Sequence, residues 1–360
     1  MTKKPRRALP RMGPRHLFKN EGIHCIVDGQ FGSTGKGALC AWLAGLAAKA
    51  SFWVEGSIYS GGPNSGHTFY HEGEKHVLKQ LPTTAVALSL IEDKPQIAYL
   101  SAGAVIDPEI LFEEARRYPR VKIFVDPNAA VIDAADKAEE GTGTIAEVAG
   151  TRSGTGAALA RKIRRDPTAI WGGNTYPDRP ENVTTNNHFL KPEQNFYFLE
   201  VSQGFSLGIN SHFYPKVTSR ECTVMQGLAD ARIAPRHLVR TFMSIRTYPI
   251  RVGNVDGYSS GDWYSDQTEL TWDDLGVEAE KTTVTQRIRR VADFSSIQLE
   301  DALRANDPDW VFINFINYIK SIGEQDAFIE TIREIGERHS KRFGVIGGYG
   351  PTSADIRLIG

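Results

Sequence analysis

The run Ile23-His24-Cys25-Ile26-Val27, closed by Asp28 and Gly29, leads into Gln30-Phe31-Gly32-Ser33-Thr34-Gly35-Lys36-Gly37, and no other segment constrains this chain so much. The apolar run reads as a buried strand. Residues 38–48, rich in alanine and leucine, have the length and composition of a helix. A glycine-rich loop between a strand and a helix lets the backbone approach an anion closely. The helix turns its free N–H groups and positive dipole end toward the same point. Lys36 adds a mobile cation suited to a transferring phosphate. The plainer alternative, a tight turn beside a solvated lysine, leaves Gly32, Gly35, Gly37, the Ser33-Thr34 pair and Lys36 in one short segment without a reason. The spacing is not that of the common G-x-x-x-x-G-K-[ST] loop, because Gly37 follows Lys36, so an ordinary NTPase or kinase is disfavoured.

Further strands are expected at Gln96–Leu100, Val121–Val125, Phe196–Val201, 309–316 and 342–346. Helices are expected at Pro108–Arg117, 133–140, 156–165 and 324–339. Strands alternating with helices predict an α/β fold, a mostly parallel central sheet flanked by helices with long functional loops. No repeat or linker divides the chain, so residues 19–360 read as one catalytic domain. Residues 1–18 carry Lys3, Lys4, Arg6, Arg7, Arg11 and Arg15 among prolines and read as a flexible basic tail or an arm for anionic partners. Lys+Arg of 42 against Asp+Glu of 43 argues against an extended nucleic-acid footprint, so a nucleotide partner is expected to be small. No run reaches the roughly 20 apolar residues of a membrane helix. Cys25, Cys40 and Cys222 fit neither a disulfide framework nor a zinc site, which points to a reducing cytoplasm, that of the host cell if the source is viral.

A second loop, Gly61-Gly62-Pro63-Asn64-Ser65-Gly66-His67-Thr68, places a histidine where it can donate to an oxygen that gains charge, although a lone His67 would more often be structural. Together the two loops resemble the adenylosuccinate synthetase family, whose usual signatures are GQWGDEGKGK and GGHNAGHT. The resemblance continues in order through residues 72–82, the shortened phosphate loop Gly150-Thr151-Arg152-Ser153-Gly154-Thr155-Gly156, Val201-Ser202-Gln203-Gly204, Val217-Thr218-Ser219, Arg251-Val252-Gly253 and residues 282–290. It implies a P-loop-related α/β fold and a C–N ligase. In that chemistry the purine 6-oxygen takes the terminal phosphoryl group of a nucleoside triphosphate, and the amine of L-aspartate then displaces phosphate.

Residue by residue, the resemblance implies that Ser33, Lys36, His67 and Gln203 are catalytic. Ser33, Thr34, Gly35, Lys36, Gly37, His67, Thr68, Arg289, Asn317, Gly350 and Pro351 would hold the triphosphate. Asn64, Thr151, Ser153, Gln203, Thr218 and Val252, with Ser33, would hold the purine monophosphate. Thr282, Thr283, Val284, Thr285 and Arg287 would hold aspartate, and the Gly66 carbonyl with Ser33 would meet Mg2+. Members are homodimers in which an arginine reaches the partner's nucleotide phosphate. Arg165 is the best match, with Arg161 and Arg164 as competitors.

Two departures redirect the substrate. The family has Asp-Glu where this chain has Ser33-Thr34, and that aspartate takes the N1 proton of IMP. A serine removes the charge and opens space beside the purine 2-position, which suits the 2-amino group of guanine, and a water relayed by Ser33 is one route for the proton. A viral branch of the family has this substitution and acts on dGMP, on the route to diaminopurine DNA. The stretch matching the family's guanine-reading T-K-x-D segment is Phe312-Ile313-Asn314-Phe315-Ile316-Asn317, with Asn317 where the carboxylate should be. An amide suits adenine where a carboxylate suits guanine, so ATP or dATP is the expected donor, with Tyr349 as a stacking platform. The expected reaction is condensation of L-aspartate with dGMP at C6, giving 2-amino-2'-deoxyadenylosuccinate, ADP and phosphate. An ordinary IMP-using synthetase and a catalytically dead nucleotide-binding homologue are the alternatives.

Overall fold

The computed structural model describes residues 16–141, 150–186, 190–255, 257–282, 286–340 and 343–359. In chain order the elements are β1 Gly22–Asp28, α1 Lys36–Lys49, β2 Val54–Ser60, the hairpin β3 His67–His71 and β4 Glu74–Leu78, α2 Thr83–Ile91, β5 Gln96–Leu100, β6 Val105–Ile106, α3 Pro108–Arg117, β7 Val121–Val125, β8 Ala130–Val131 and α4 Ala134–Glu140. Then come α5 Thr155–Ile163, β9 Val183–Thr185, β10 Phe196–Val201, α6 Val224–Asp230, β11 Leu238–Arg246, β12 Ile250–Arg251, β13 Glu269–Leu270, α7 Trp272–Leu275, β14 Arg290–Ala292, α8 Ser296–Asn306, β15 Trp310–Asn314, α9 Ile322–His339, β16 Gly344–Gly348 and β17 Ile356–Ile359.

Ten of the strands form one sheet in the order β17-β16-β15-β11-β1-β10-β2-β5-β7-β9. Every pairing in it is parallel except β16 with β17. Helices cover both faces, as parallel sheets require. Successive residues of β1 face opposite sides. Ile23, Cys25 and Val27 join the core that includes Leu299, Leu303, Ile329 and Ile332 of α8 and α9. Ile26 joins Leu39 and Leu43 of α1 on the other face, with Phe198 and Phe242. A further core lies under α2 and α3 around Leu81, Val86 and Leu111.

The helix α3 shows why some boundaries are legible. Asp107 caps it by accepting from the Glu109 N–H at 3.1 Å, Pro108 fits the first turn, Leu111, Phe112 and Ala115 face inward, and Arg116 and Arg117 favour its C-terminal end. Elsewhere the expected limits move. The strand expected at 309–316 is Trp310–Asn314, since Phe315 turns into the left-handed region at φ 60°. The strand expected at 342–346 is Gly344–Gly348, with residue 342 outside the described residues. Asp133 is the cap of α4 rather than its first turn, and α5 ends at Ile163. The basic tail does not extend to residue 18 as a flexible segment. Leu17 and Phe18 are buried, Phe18 against Phe52, Phe196 and Phe198; residues 1–15 lie outside the described residues. No helix among the described residues is long and apolar enough to cross a membrane.

Candidate active site

The five central neighbours β15, β11, β1, β10 and β2 run parallel, so their carboxyl ends open on one edge of the sheet. In such sheets that edge is where ligands bind. The glycine-rich loop leaves β1 there. Gly32, Ser33 and Gly35 take φ values of 87°, 55° and 87°, and alternation of this kind lets successive N–H groups face one point. Gly35 begins α1, which has no side-chain cap and no acidic residue in its first turn. Its N-terminal N–H groups and dipole are therefore available to an anion.

Two glycines are fixed by their neighbours. A Cβ on Gly35 would overlap the Asn314 amide nitrogen at 1.8 Å, and one on Gly37 would lie 2.4 Å from the Thr68 carbonyl oxygen. The second approach brings β3, and with it His67 and Thr68, against the phosphate loop. Ser33 is exposed at the tip of the loop, while Thr34 and Lys36 are buried behind it.

Beneath the loop lies Asp28, a carboxylate that sequence reasoning passed over. Its Oδ1 accepts from the N–H groups of Gln30 at 2.9 Å and Gly32 at 3.3 Å, and its Oδ2 accepts from the Thr34 hydroxyl at 2.5 Å. The Lys36 ammonium stands 3.6 Å from Oδ2 and donates to the Gln203 carbonyl at 3.1 Å. The Thr34 hydroxyl also contacts that of Ser244. Asp28 thus gives the buried lysine a counter-charge and fixes the curvature of the loop.

His67 is buried at the start of β3, and its Nδ1 lies 3.7 Å from Oε2 of Glu200, a carboxylate wholly inside the protein on β10. Glu200 also accepts from the N–H groups of Thr83 at 2.9 Å and Thr84 at 2.7 Å and from the Thr84 hydroxyl at 2.7 Å. It therefore caps α2, whose own N-cap is Pro82, and the helix dipole favours the anion there. Burial works to raise the Glu200 carboxyl, but His67 and the Thr84 donors outweigh it and hold the group below its ordinary value. The other nitrogen of His67, Nε2, is buried without a hydrogen-bond partner, as is the Gln203 side-chain nitrogen. Buried unsatisfied donors in native proteins are few and call for a ligand or another explanation.

The residues assigned to the purine monophosphate converge in part. Asn64 donates to the Thr218 hydroxyl at 3.4 Å. The hydroxyls of Thr151, Ser153 and Thr155 form a chain at 3.1 and 2.9 Å, and a Cβ on Gly62 would lie 3.1 Å from Thr155. The N-terminus of α5 is occupied by Glu140, which accepts from the N–H groups of Gly154 and Gly156, each at 2.6 Å. A phosphate here would meet hydroxyls before it met helix N–H groups. Val252 continues from Arg251, whose guanidinium is committed to the carbonyls of Asp262, Lys216 and Ser260. Arg165 is exposed beyond the far end of α5, away from Thr151 and Ser153. Arg164 is exposed too, whereas Arg161 is tied to Asp136.

Thr282 is buried; its N–H donates to the Arg287 carbonyl at 2.8 Å, and its hydroxyl accepts from the Arg287 N–H at 3.0 Å. Thr283, Val284 and Thr285 lie outside the described residues. Arg289 is half-buried, with burial pulling its guanidinium down to about 10. At the base-binding end, Asn314 is the buried amide, donating to the Thr34 carbonyl at 3.3 Å, while Asn317 is exposed. Gly350 and Pro351 follow Tyr349, whose ring faces Arg357 at 4.1 Å. Asp28, Glu200, Arg246 and Glu280 were missed by sequence reasoning, and Asn314 was placed in the base-reading segment without a role of its own. A charged residue at or next to the end of a buried strand was the signal for the first three; Glu280, on an irregular segment, had none.

The adenylosuccinate synthetase family model matches residues 25–172 and 179–325. The N6-succino-2-amino-2'-deoxyadenylate synthase of Cyanophage S-2L is 36% identical, over 95% of this chain and 94% of that protein. The enzyme of that name from Vibrio phage phiVC8 is also 36% identical, over 94% and 98%. Among solved structures, the Cyanophage S-2L succinoaminodeoxyadenylate synthetase bound to dGMP and dATP superposes with a TM-score of 0.81 at 35% identity, covering 94% of this chain and 95% of that one. The fully ligated adenylosuccinate synthetase of Plasmodium falciparum shares the fold, with a TM-score of 0.72 at 17% identity over 94% of this chain and 100% of that one. With both strand-end loops, the parallel sheet and a family match over most of its length, this chain belongs to the adenylosuccinate synthetase family.

Proposed function

We propose that the protein is a ligase that joins L-aspartate to dGMP at C6, with ATP or dATP as phosphoryl donor. The dGMP 6-oxygen attacks the terminal phosphorus, the donor leaves as its diphosphate, and a 6-phosphoryl purine forms. The aspartate amine then adds at C6 and phosphate departs, because phosphate is a far better leaving group than oxide. The products are 2-amino-2'-deoxyadenylosuccinate, the nucleoside diphosphate and phosphate.

The observation that carries this reading is the division of charge within the loop. Its tip offers the exposed hydroxyl of Ser33, while its nearest carboxylate, Asp28, is buried and committed to Lys36, Thr34 and two backbone N–H groups. A neutral tip admits a 2-amino group and can hydrogen-bond it. Lys36 and the loop N–H groups would hold the moving phosphoryl group, and His67 Nε2 would donate to the 6-oxygen as charge develops there. The unpartnered Gln203 amide would bind the purine. Thr282 and Arg287, with residues 283–285, would bind aspartate, the guanidinium suiting a carboxylate in bidentate fashion. The exposed amide of Asn317, in the turn that follows β15, suits an adenine donor, while Asn314 is engaged with the Thr34 carbonyl and the Phe315 N–H. The viral relatives act as their names state, and the solved neighbour holds dGMP and dATP.

Family members generally use Mg2+. Among the described residues no three His, Cys, Asp or Glu side chains gather to hold a metal. The exposed Ser33 and Gly66 offer hard oxygen donors beside the loop, a set that suits an ion carried mainly by nucleotide phosphates. Such an ion would neutralise charge on the phosphates. An exposed arginine after α5, Arg165 or Arg164, would serve a partner subunit in a homodimer. A matrix of dGMP, GMP and IMP against ATP, dATP and GTP, with aspartate-dependent phosphate release measured, tests the reading. Preference for IMP with GTP refutes it, and binding without phosphate release would make the protein a catalytically dead homologue.

A further inference from the structure

We infer that Arg220 and Asp230 form a buried positioning pair that places Asn64 and Thr218 for the phosphate group of the purine monophosphate, a role that rests on the function proposed above. The two side chains are only 8% and 9% exposed and pair directly. Arg220 lies two residues beyond Thr218, and Asp230 is the last residue of α6. The pair draws further segments together. Arg220 Nη1 donates to the carbonyl of Gly103, between β5 and β6, at 3.0 Å, and Nη2 donates to the Ser60 hydroxyl at 2.7 Å. Asp230 accepts from that same hydroxyl and, through its other oxygen, from the Gln226 amide at 2.7 Å.

Both residues assigned to the monophosphate hang from this pair. Ser60 ends β2, and Gly61-Gly62-Pro63-Asn64 follow it directly. On the other side, the Thr218 N–H donates to the Leu207 carbonyl at 2.7 Å and the Ile209 N–H to the Arg220 carbonyl at 3.0 Å. Thr218 and Arg220 are thus rungs of one short ladder. The bonds that Ser60 makes to the pair set the distance between the Asn64 loop and the Thr218 segment, whose own contact is the long bond of 3.4 Å. Gly103 closes the cluster. Its N–H donates to the Asp230 carbonyl at 3.2 Å, and a Cβ on it would lie 2.1 Å from the Asp230 carboxyl carbon, so no side chain fits between them.

Two features give the pair a role in binding rather than in support alone. The N–H groups at the start of α5 are taken by Glu140, so a phosphate here depends on hydroxyl and amide donors. Such short side chains reach a phosphate oxygen only if their backbone is held within about 0.5 Å of the right place. A buried ion pair supplies that rigidity, since neither partner can leave without exposing an uncompensated charge to the interior. The pair also serves one substrate selectively. Lys36 and Thr34, assigned to the triphosphate, are held instead by Asp28, Gln203 and Ser244.

The test separates placement from stability, with thermal melting to report folding. Arg220→Lys keeps the charge beside Asp230 and loses the fork that reaches Ser60 and Gly103 together. In the aspartate-dependent phosphate-release assay its KM for dGMP rises about tenfold, while kcat and the KM values for ATP and aspartate stay within about twofold of wild type. Ser60→Ala leaves both charges paired and removes only the link to the Asn64 loop. It raises the same KM by about threefold and serves if the first variant does not fold. In a Thr218→Val background, Arg220→Lys costs under about twofold more, because the hydroxyl it places has gone. A dGMP KM within about twofold of wild type in folded Arg220→Lys, an equal loss for all three substrates, or a full loss persisting in the Thr218→Val background overturns the inference. If the wild type uses IMP and not dGMP, the proposed substrate fails instead, and the series is read with IMP, which carries the same phosphate. If no phosphate is released at all, the proposed activity fails, and calorimetric titration with dGMP reads the same variants.

Discussion

Replacing Glu200 by glutamine keeps the volume of the side chain and removes the charge that faces His67. Unit charges 3.7 Å apart interact by about 4.5 kcal/mol at an effective dielectric of about 20. An amide dipole recovers part of this, so the loss in transition-state stabilisation should be ~2–3 kcal/mol, about 100-fold in kcat. The charge matters only while the imidazole bears positive charge as Nε2 donates to the 6-oxygen, so KM for dGMP and the donor should change less than kcat. Glu200 also caps α2, so folding must be read separately by thermal melting. The deciding measurement is a double-mutant cycle in the phosphate-release assay. In a His67→Asn background, Glu200→Gln should cost under about threefold, because the group it serves has gone. A full loss persisting in that background would show that Glu200 supports the fold alone, and a single variant with wild-type kcat would refute the role altogether.

Asp28→Asn leaves Lys36 buried without its counter-charge and should lower stability by about 3 kcal/mol, read by denaturant unfolding; a loss under about 1 kcal/mol would mean the pair is not a buried ion pair in energetic terms. Gly37→Ala gains about 1 kcal/mol of helix propensity but drives a methyl group against the Thr68 backbone, so the net effect should be a lower Tm and weaker donor binding. A stabilised, fully active variant would count against the contact between α1 and β3. His24 accepts from the Lys19 N–H at 3.0 Å and stacks on Phe196, and burial lowers it from 6.5 to about 3. The unfolded chain takes up that proton first, so stability contributed by neutral His24 is intact above about pH 6.5 and declines by at most one proton's slope as pH falls toward 3. Melting curves of His24→Gln between pH 7 and 4.5 should be flatter than those of the wild type.

What the sequence disclosed followed from how each residue advertises itself. Lys36, His67 and Gln203 each adjoin glycine-rich motifs that follow strands, and it was their company in order along the chain that marked them. The helix α3 was legible to its ends because its cap, proline, inward face and terminal arginines all agree. By contrast β2, Val-Glu-Gly-Ser-Ile-Tyr-Ser, and β11, Leu-Val-Arg-Thr-Phe-Met-Ser-Ile-Arg, were missed. Central parallel strands are expected to be apolar runs, and these two are interrupted by side chains that serve the site or its supports. Arg246 and Ser244 on β11 both touch the phosphate loop. The polarity that hid the strand therefore also marks where the chemistry lies.

The same reasoning bears on how a family enzyme could change its purine. Thr34 and Asn314, which share a hydrogen bond, are 280 residues apart, and only the strand order brings them together. Four of the central strands, β1, β10, β11 and β15, contribute a buried charged or amide group at or next to their ends: Asp28, Glu200, Arg246 and Asn314. These groups set the loop's curvature, the lysine's charge balance and the histidine's orientation from beneath. Ser33 is exposed above them and makes only its carbonyl bond to Arg246 among the described contacts that fix it. A change of side chain at the tip therefore alters what the purine edge meets without disturbing the phosphate cradle below. If Ser33→Asp keeps donor binding and stability close to wild type while dGMP binding falls, that separation holds; a collapse of all three would mean the tip is as structural as the floor.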